Sequence, residues 1–275
     1  MEASRNVIGL VGSPNPDGRT NQLVSAALEG AAQTGVTTEL IQMSDYVVAA
    51  CRDCLPWVCK DNLKCTFDDD AFEFYSRKIT DCSALIIGTP VYWWDTSGLV
   101  KYLILKMLRV YAMSAPFHGL PAFGIAIAGG TGNGLVSGLR PVYHYFQMMG
   151  MRAIEPLPVT RFNFNAALQR ASELGEEIAK MAGQRARFRG LEDKLLWYDA
   201  LPYLGLSRAD ERRLLADLVV QGLPLDKAEP IALGLARAHE LDAAGRKLDA
   251  SVEITQAYNA GVKAFEAGES VKSGK

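Results

Sequence analysis

The sequence predicts an α/β fold, a doubly wound five-stranded parallel sheet followed by an all-helical C-terminal extension. Strand-like and helix-like runs alternate from residue 6 to residue 183, which is the chain order of a parallel sheet with helices on both faces. The strand-like runs are largely apolar rather than alternating, as expected for strands that are buried on both faces. Beyond about residue 191 the strand pattern ends and only helix-friendly runs remain.

The elements of the sheet domain follow from run length and spacing. Short apolar runs followed by turn residues predict strands at residues 7–11, 36–43, 84–88, 121–128 and 152–159. Apolar residues that recur at helical spacing predict helices at residues 20–34, 69–80, 97–113, 135–149 and 166–182. In a doubly wound sheet of this kind, ligands bind beyond the carboxyl ends of the strands.

The C-terminal extension is predicted to hold three helices, at residues 208–221, 226–244 and 246–267, separated by glycine and proline. The last two are rich in alanine and amphipathic, which is typical of a helical hairpin. We therefore divide the chain into a sheet domain at residues 1–184 and a C-terminal arm at residues 190–270. The arginine-rich segment between them is expected to be a solvated linker.

Composition excludes several classes of function. The 29 basic and 31 acidic residues almost cancel, which argues against a nucleic-acid-binding surface. No apolar run is long enough for a membrane-spanning helix, and no signal-peptide core precedes the first predicted strand. We therefore expect a cytoplasmic protein that contacts neither nucleic acid nor membrane. Thiols stay reduced in that compartment, so clustered cysteines indicate metal or redox chemistry.

The first predicted strand ends in a turn rich in hydroxyl and amide groups, with the sequence GSPNPDGRTN at residues 12–21. Ser13, Thr20 and Asn21 supply side-chain donors and Arg19 supplies a positive charge, beside the N-terminus of a predicted helix that itself attracts anions. The turn lacks the Gly-Lys-Ser/Thr of a nucleoside-triphosphate loop and the G-x-G-x-x-G of a dinucleotide loop. A single terminal phosphate, as in a mononucleotide, suits it best, and the alternative is an ordinary capped turn.

Two further turns follow the third and fourth predicted strands, with the sequences GTPVYWW at residues 88–94 and AGGTGNG at residues 128–134. A flat aromatic cofactor needs backbone N–H groups along its polar edge and little side-chain bulk there, which glycines provide. Tyr92, Trp93 and Trp94 could form a wall for such a ring. The alternatives are aromatic packing in the core or at a dimer interface, and a flexible glycine loop.

These three turns resemble the phosphate and flavin loops of the NADPH-dependent FMN reductases, which have a flavodoxin-like fold. The resemblance covers roughly residues 6–183 and includes Lys101 and the Met149-Gly150-Met151 segment. It implies that FMN is the cofactor and that NAD(P)H is the electron donor. It also implies the contacts to the flavin phosphate (Ser13, Arg19, Thr20, Asn21), to one side of the flavin (Pro90, Val91, Tyr92, Trp93) and along its other edge (Gly129, Gly130, Thr131).

Four cysteines follow the second predicted strand, in the order Cys51-x2-Cys54-x4-Cys59-x5-Cys65. This loop resembles the iron–sulfur flavoprotein branch of the same family, although that branch begins with a more compact Cys-x2-Cys-x2-Cys. A 4Fe–4S cluster, a zinc ion and no metal all remain open, and zinc is disfavoured because only one Cys-x2-Cys pair exists. Cys82 is expected to be a small buried residue, and the acidic run at residues 68–70 to be the negative start of a helix.

The resemblance implies an oxidoreductase in which flavin takes a hydride from NAD(P)H and passes electrons to an acceptor. The three histidines are scattered, and no triad or carboxylate pair is evident, which fits chemistry carried by a cofactor. With a cluster, the acceptor is expected to be a redox protein; without one, a quinone or a nitro or azo aromatic. A flavin-binding electron carrier without enzyme activity is the third alternative. The family association into homodimers or homotetramers is expected here, with the arm reaching across to the neighbouring subunit.

Overall fold

The computed structural model describes residues 5–114 and 116–273, with side chains up to residue 269. Every strand pairs in parallel with its neighbours. The order is β2-β1-β3-β4, and two short strands pair one after the other with the far edge of β4. This is the flavodoxin-like order that the sequence predicts. The strands are β1 Asn6–Val11, β2 Thr37–Gln42, β3 Ala84–Pro90, β4 Pro121–Ala128, β5 Arg152–Ala153 and β6 Leu157–Thr160.

The fifth predicted strand differs from its observed form, because it is divided into β5 and β6. The ladder of hydrogen bonds continues as far as Ile154, whose N–H donates to the carbonyl of Ala122 at 2.9 Å. Pro156 follows, and proline has no N–H to give to a strand ladder. The predicted strand at residues 152–159 is therefore correct in position and wrong in its continuity.

Helices cover both faces of the sheet, because alternate residues of β1 enter two separate cores. Val7 and Val11 join one core with α1 and α6, and Ile8 and Leu10 join the other with α3, α4 and α5. A four-residue helix, α2, lies in the cysteine loop, where the sequence predicts none. The helices of this domain are α1 Arg19–Ala32, α2 Cys59–Asn62, α3 Asp70–Asp81, α4 Gly98–Tyr111, α5 Leu135–Met148 and α6 Phe164–Met181.

The helices α1 and α6 pack with their backbones in contact. A Cβ atom built on Gly30 would collide with the carbonyl oxygen of Ser172, and one built on Gly175 would collide with that of Ala27. Only glycine allows two helices to come this close. The helix that follows the first polar turn is thereby fixed against the last helix of the sheet domain.

The C-terminal arm consists of α7 Leu191–Asp199, α8 Arg208–Gln221, α9 Leu225–Ala243 and α10 Lys247–Ser273. The predicted pairing of its last two helices is confirmed, since α9 and α10 pack closely. The sequence pattern did not predict α7, which docks on the sheet domain through Trp197 and Tyr198. Their side chains donate to the carbonyls of Ala153 at 2.7 Å and Met151 at 2.8 Å. In the structure the arm packs on the sheet domain of its own chain.

Arg185, in the linker before the arm, is exposed, as expected for a solvated segment, and it also attaches the linker to the sheet domain. Its guanidinium donates to the carbonyls of Pro116, Thr80 and Cys82 at 2.9–3.2 Å. Among the described residues, no helix combines the length and the apolar character needed to cross a membrane.

Candidate functional site

Three loops meet at the carboxyl edge of the sheet: the first loop (residues 12–18), the second loop (residues 91–97) and the third loop (residues 129–134). They follow β1, β3 and β4, which are adjacent strands. The N–H of Gly12 donates to the carbonyl of Gly88 at 2.7 Å, and the N–H of Val91 donates to that of Ile127 at 2.9 Å. The loops singled out by the sequence therefore form one continuous edge, where doubly wound sheets bind ligands.

The first loop is built into the core. A Cβ atom on Gly12 would collide with the side chain of Val100 and lie 2.8 Å from the carbonyl oxygen of Gly88, so only glycine fits there. Ser13 is buried; its Oγ accepts from the N–H of Asn15 at 3.2 Å, and its carbonyl accepts from the side-chain amide of Gln42. These contacts hold the turn in one conformation.

The start of α1 is suited to an anion. The helices α3 and α4 are capped by Asp69 and Ser97, whose side chains accept from first-turn N–H groups at 3.1 and 3.4 Å. The N-cap residue of α1 is Gly18, which makes no such side-chain hydrogen bond. Uncapped N–H groups at the positive end of a helix attract negative charge.

The other predicted phosphate ligands lie at this turn in different settings. Thr20 is buried, and Asn21 is half-buried with its Oδ1 accepting from the hydroxyl of Ser25 at 3.2 Å. Arg19 is exposed, and its guanidinium carbon lies 5.3 Å from the centre of the Phe164 ring, at the start of α6. The structure thus groups Ser13 and Thr20 at the turn and places the charge of Arg19 on the side of α6.

The second loop turns sharply at Trp93 and Trp94. Tyr92 and Asp95 exchange backbone hydrogen bonds of 3.0 and 3.1 Å across the turn. Both tryptophans have positive φ, +50° and +58°, in a turn type that normally uses Asn and Gly. Such a conformation costs about 1–2 kcal/mol for each residue that carries a Cβ.

The aromatic residues of the second loop are on the surface. Trp93 is 90% exposed, and Tyr92 and Trp94 are each more than half exposed, so packing in the core of this chain is ruled out for all three. The two indole rings contact each other edge to face, with centroids 5.8 Å apart. Pro90 is buried at the end of β3, and Val91 packs against Gly138 of α5. The turn therefore presents an apolar wall at the sheet edge.

The third loop offers backbone with little side-chain bulk. No described atom lies within 4 Å of a Cβ built on Gly129 or Gly130, so the space above them is open. The N–H of Gly132 donates to the carbonyl of Gly129 at 2.9 Å, which closes a tight turn, and Thr131 is exposed. This is the arrangement that a flat ring requires along its polar edge.

The C-terminal arm contacts the third loop, which the sequence did not reveal. The hydroxyl of Tyr258 donates to the carbonyl of Thr131 at 2.6 Å, and Leu215 of α8 lies against Gly132. The carboxylate of Glu211 accepts from the N–H of Val136, in the first turn of α5, at 2.9 Å. These residues are 75 to 127 positions away from their partners, and no local pattern indicates such contacts.

The four clustered cysteines line one cavity between their loop and α4. All four are half-buried and free of disulfides, and Cys82 lies apart from them. Lys106 and Arg109 of α4 form the basic side of this cavity. The Nε of Arg109 is buried and has no partner among the described residues, so a donor is left unused in a cavity-lining residue.

Neighbouring contacts hold the cysteine loop on α4. Cys59 and Trp57 both donate to the carbonyl of Arg109, at 3.6 and 2.6 Å, and Arg109 pairs with Asp53 at 2.8 Å. Lys106 forms a buried ion pair with Asp69, which is also the cap of α3. The predicted negative helix start is confirmed at Asp69.

The four thiols of the cavity are not drawn together around one point. Among the described side chains, residues 5–114 and 116–269, no three His, Cys, Asp or Glu form a group placed to hold a metal ion. Cys82 is 2% exposed, and burial raises the pKa of its thiol to about 12. It is therefore the inert, packed thiol that the sequence predicts.

Comparison with known proteins gives the family. Residues 5–157 match the family described as NADPH-dependent FMN reductase. An iron–sulfur flavoprotein of Methanocaldococcus jannaschii is 25% identical over 189 residues, which cover 64% of this chain and 96% of the relative. An iron–sulfur flavoprotein of Methanosarcina thermophila is 24% identical over 145 residues, or 53% of this chain and 74% of the relative.

Solved structures support the fold. An NAD(P)H:quinone oxidoreductase from Methanothermobacter marburgensis aligns with a TM-score of 0.52 at 16% identity, covering 64% of this chain and 96% of the other. A flavone reductase aligns with a TM-score of 0.50 at 14% identity, covering 65% of this chain and 63% of the other.

The C-terminal arm stands outside the shared part. Nearly all of the M. jannaschii relative is matched by about two thirds of this chain, so the remaining third has no counterpart in that protein. The family match itself ends at residue 157, before α6 and the arm. Within its limits the match includes all three loops and the cysteine cluster. This chain is therefore a member of the NADPH-dependent FMN reductase family, an FMN-dependent oxidoreductase with a flavodoxin-like fold.

Proposed function

We propose that this oxidoreductase binds FMN across the three loops, holds a 4Fe–4S cluster in the cysteine cavity, and passes electrons from NAD(P)H to a redox protein. The observation that carries the proposal is the single cavity lined by Cys51, Cys54, Cys59 and Cys65. The names of the archaeal relatives, which are iron–sulfur flavoproteins, support it.

The three loops fit FMN. The uncapped start of α1 and the buried hydroxyl-bearing residues Ser13 and Thr20 suit the phosphate, with Asn21 and Arg19 beside them. The open space above Gly129 and Gly130 leaves room for the ring next to Thr131. Its other side would face the second loop at Pro90, Val91, Tyr92 and Trp93. Bound FMN supplies hydride acceptance and can release electrons in one- or two-electron steps.

The lining of the cysteine cavity by four thiols supports the proposed cluster. A 4Fe–4S cluster takes one thiolate at each of its four iron corners, so its ligands surround a cavity instead of meeting at a point. The charges of Lys106 and Arg109 are already paired with Asp69 and Asp53, so what α4 offers the cluster is the unpartnered Nε–H donor of Arg109. A cluster exchanges single electrons, which favours a redox protein as the acceptor.

The chain itself contributes binding and orientation. The first loop would fix the phosphate, the third loop would present backbone groups along the ring, and Trp93 and Trp94 would add apolar surface at the sheet edge. No side chain is required as nucleophile or general acid for hydride transfer from a nicotinamide.

A second candidate function is a cluster-free reductase of quinones or of nitro or azo aromatics. It is favoured by the 90% exposure of Trp93 at the sheet edge, where a planar acceptor could stack. A non-enzymatic flavin electron carrier remains the third candidate, and it requires negligible NAD(P)H oxidation with any acceptor.

The decisive experiment measures iron, sulfide and flavin in protein purified without oxygen, together with reduction of cytochrome c and of menadione by NADPH and NADH. We expect about four irons per chain, and a Cys54→Ser variant that loses iron and cytochrome c reduction but keeps menadione reduction. Cys82→Ala is the matched control, because that thiol is buried away from the cavity. Iron-free yellow protein with undiminished turnover would establish the second candidate instead.

The assembly is also a proposal. We propose a homodimer or homotetramer, supported by large apolar side chains left exposed at Trp93 and Leu55. Light scattering on the purified protein gives the mass directly, and a monomer at micromolar concentration would contradict this.

A further inference from the structure

The geometry points to the C-terminal arm as a built-in support of the flavin site, in which Tyr258 and Glu211 are positioning residues for the third loop. This inference rests on the proposed binding of FMN across the three loops. It goes further, because it assigns a role in flavin affinity to residues outside the family match, which ends at residue 157.

Tyr258 of α10 makes the most direct contact. Its ring is buried, with the guanidinium carbon of Arg212 4.6 Å from the ring centre, and its hydroxyl donates to the carbonyl of Thr131 at 2.6 Å. Burial raises the pKa of this phenol, so the proton that the bond needs is retained at neutral pH. The arm thus fixes a carbonyl in the middle of the third loop.

The preceding carbonyl of the loop is fixed as well. Nε of Arg161 donates to the carbonyl of Gly130 at 3.2 Å. Arg161 is in turn held by two carboxylates of α10, Glu266 at 2.5 Å and Glu269 at 3.8 Å. Because a trans peptide points its C=O and its N–H in opposite directions, this bond turns the N–H of Thr131 away from Arg161.

Packing and capping complete the support. Gly132 has a φ of +76°, and a Cβ built on it would lie 2.8 Å from a methyl carbon of Leu215. At the end of the loop, Gly134 begins α5 without a side-chain cap of its own, and Glu211 of α8 takes that role at Val136. Two helices of the arm therefore hold the loop along its length.

The consequence is specific to one part of the flavin. The third loop faces the ring, whereas the phosphate lies on the first loop. Weakening the arm contact should therefore lower the affinities for FMN and for riboflavin by the same factor. A substitution that disturbs the first loop should lower the affinity for FMN alone, because riboflavin has no phosphate.

The test uses the full-length protein and two matched tyrosine variants, Tyr258→Phe and Tyr198→Phe. Both tyrosines belong to the arm and donate to a carbonyl of the sheet domain, but Tyr198 does so at Met151, away from the loops. Flavin fluorescence gives the dissociation constants of FMN and riboflavin, and thermal unfolding of the flavin-free protein gives Tm. We expect Tyr258→Phe to raise both dissociation constants about tenfold. Tyr198→Phe should lower Tm by about as much as Tyr258→Phe does, but it should leave both flavin dissociation constants unchanged.

The outcomes separate the two proposals. Wild-type protein that binds neither flavin overturns the proposed function, and this inference with it. Wild-type protein that binds FMN, with Tyr258→Phe equal to wild type in both constants, overturns the inference alone. The inference is also overturned if both tyrosine variants weaken flavin binding equally, because the arm would then act only through the stability of the whole fold.

Discussion

The first and third loops lie at the same edge of one sheet but are held in place by different parts of the chain. Gly12 of the first loop fits between Val100 and the carbonyl of Gly88, and Gln42 of β2 bonds the carbonyl of Ser13, all within the sheet domain. The third loop is held by α8 and α10 of the arm. The sheet domain itself holds the loop proposed for the phosphate, and the C-terminal arm supports the loop proposed for the ring.

The difference has an energetic meaning. A change in the first loop disturbs the packed core, so folding and ligand binding should fall together. A change in the open part of the third loop alters little packing, so binding should fall while folding stays intact. Substitutions at Gly12, Gly129 and Glu211 examine this contrast, and substitutions at Trp93 extend it to the second loop.

The largest effect is expected for Gly12→Ala. The added methyl would meet the side chain of Val100 and the carbonyl of Gly88, and overpacking of this kind costs about 3 kcal/mol of unfolding free energy. Urea unfolding measures it. Gly98→Ala is the control, because no described atom lies within 4 Å of a Cβ there. If both variants unfold like wild type, the first loop is not built into the core as described.

A smaller effect, confined to binding, is expected for Gly129→Ala. Its Cβ would point into open space, so the free energy of unfolding should not change. The same Cβ would obstruct a ring lying on the loop, so FMN binding should become weaker by about 1–2 kcal/mol. Titration of flavin fluorescence measures it, with Gly205→Ala of the arm as an equally unobstructed control. Unchanged FMN affinity would mean that the ring does not approach Gly129.

The cap supplied by the arm should contribute about 1 kcal/mol. Glu211→Ala removes the acceptor of the Val136 N–H, and loss of a cap has about this cost. Glu211→Gln keeps a carbonyl oxygen in the same place and should recover most of the loss. The comparison is made by urea unfolding and FMN titration in parallel. Equal losses in the two variants would assign the effect to charge and not to capping.

The smallest effect is expected in the second loop, at Trp93. Asn tolerates positive φ better than other non-glycine residues, and Trp93 is almost fully exposed, so Trp93→Asn should raise the unfolding free energy by about 0.5 kcal/mol. Trp93→Val should lower it, because a β-branched side chain is strained at this φ. Thermal unfolding of the pair checks the sign. The reverse order would mean that the exposed indole stabilises the turn more than its backbone conformation costs.

The sequence predicted what depends on neighbours along the chain. The apolar runs located the strands, and the turns after β1, β3 and β4 were recognised from their residue types. The division of the last strand at Pro156 was missed, because the surrounding residues remain strand-like on both sides. Cys82 and Asp69 were also interpreted correctly from local context.

Long-range placement was beyond the sequence. The pattern at residues 97–113 predicts a helix but does not say that Lys106 and Arg109 turn towards the cysteines. The sequence does show a lysine between apolar residues, Leu105-Lys106-Met107, and the structure shows that this lysine is buried. The hydrogen bond from Tyr258 to Thr131 joins residues 127 positions apart, and neither residue type indicates the other.

The close seating of α1 on α6 through Gly30 and Gly175 bears on how an anion would be recognised. A helix whose backbone rests on another backbone has no slack to slide or tilt when a ligand arrives. If α1 holds the phosphate as proposed, the donors at its amino end would keep a fixed spacing, and selectivity would come from rigid shape matching instead of adjustment. A monoester of the right size would be accepted at little entropic cost, and a bulkier diphosphate would be rejected.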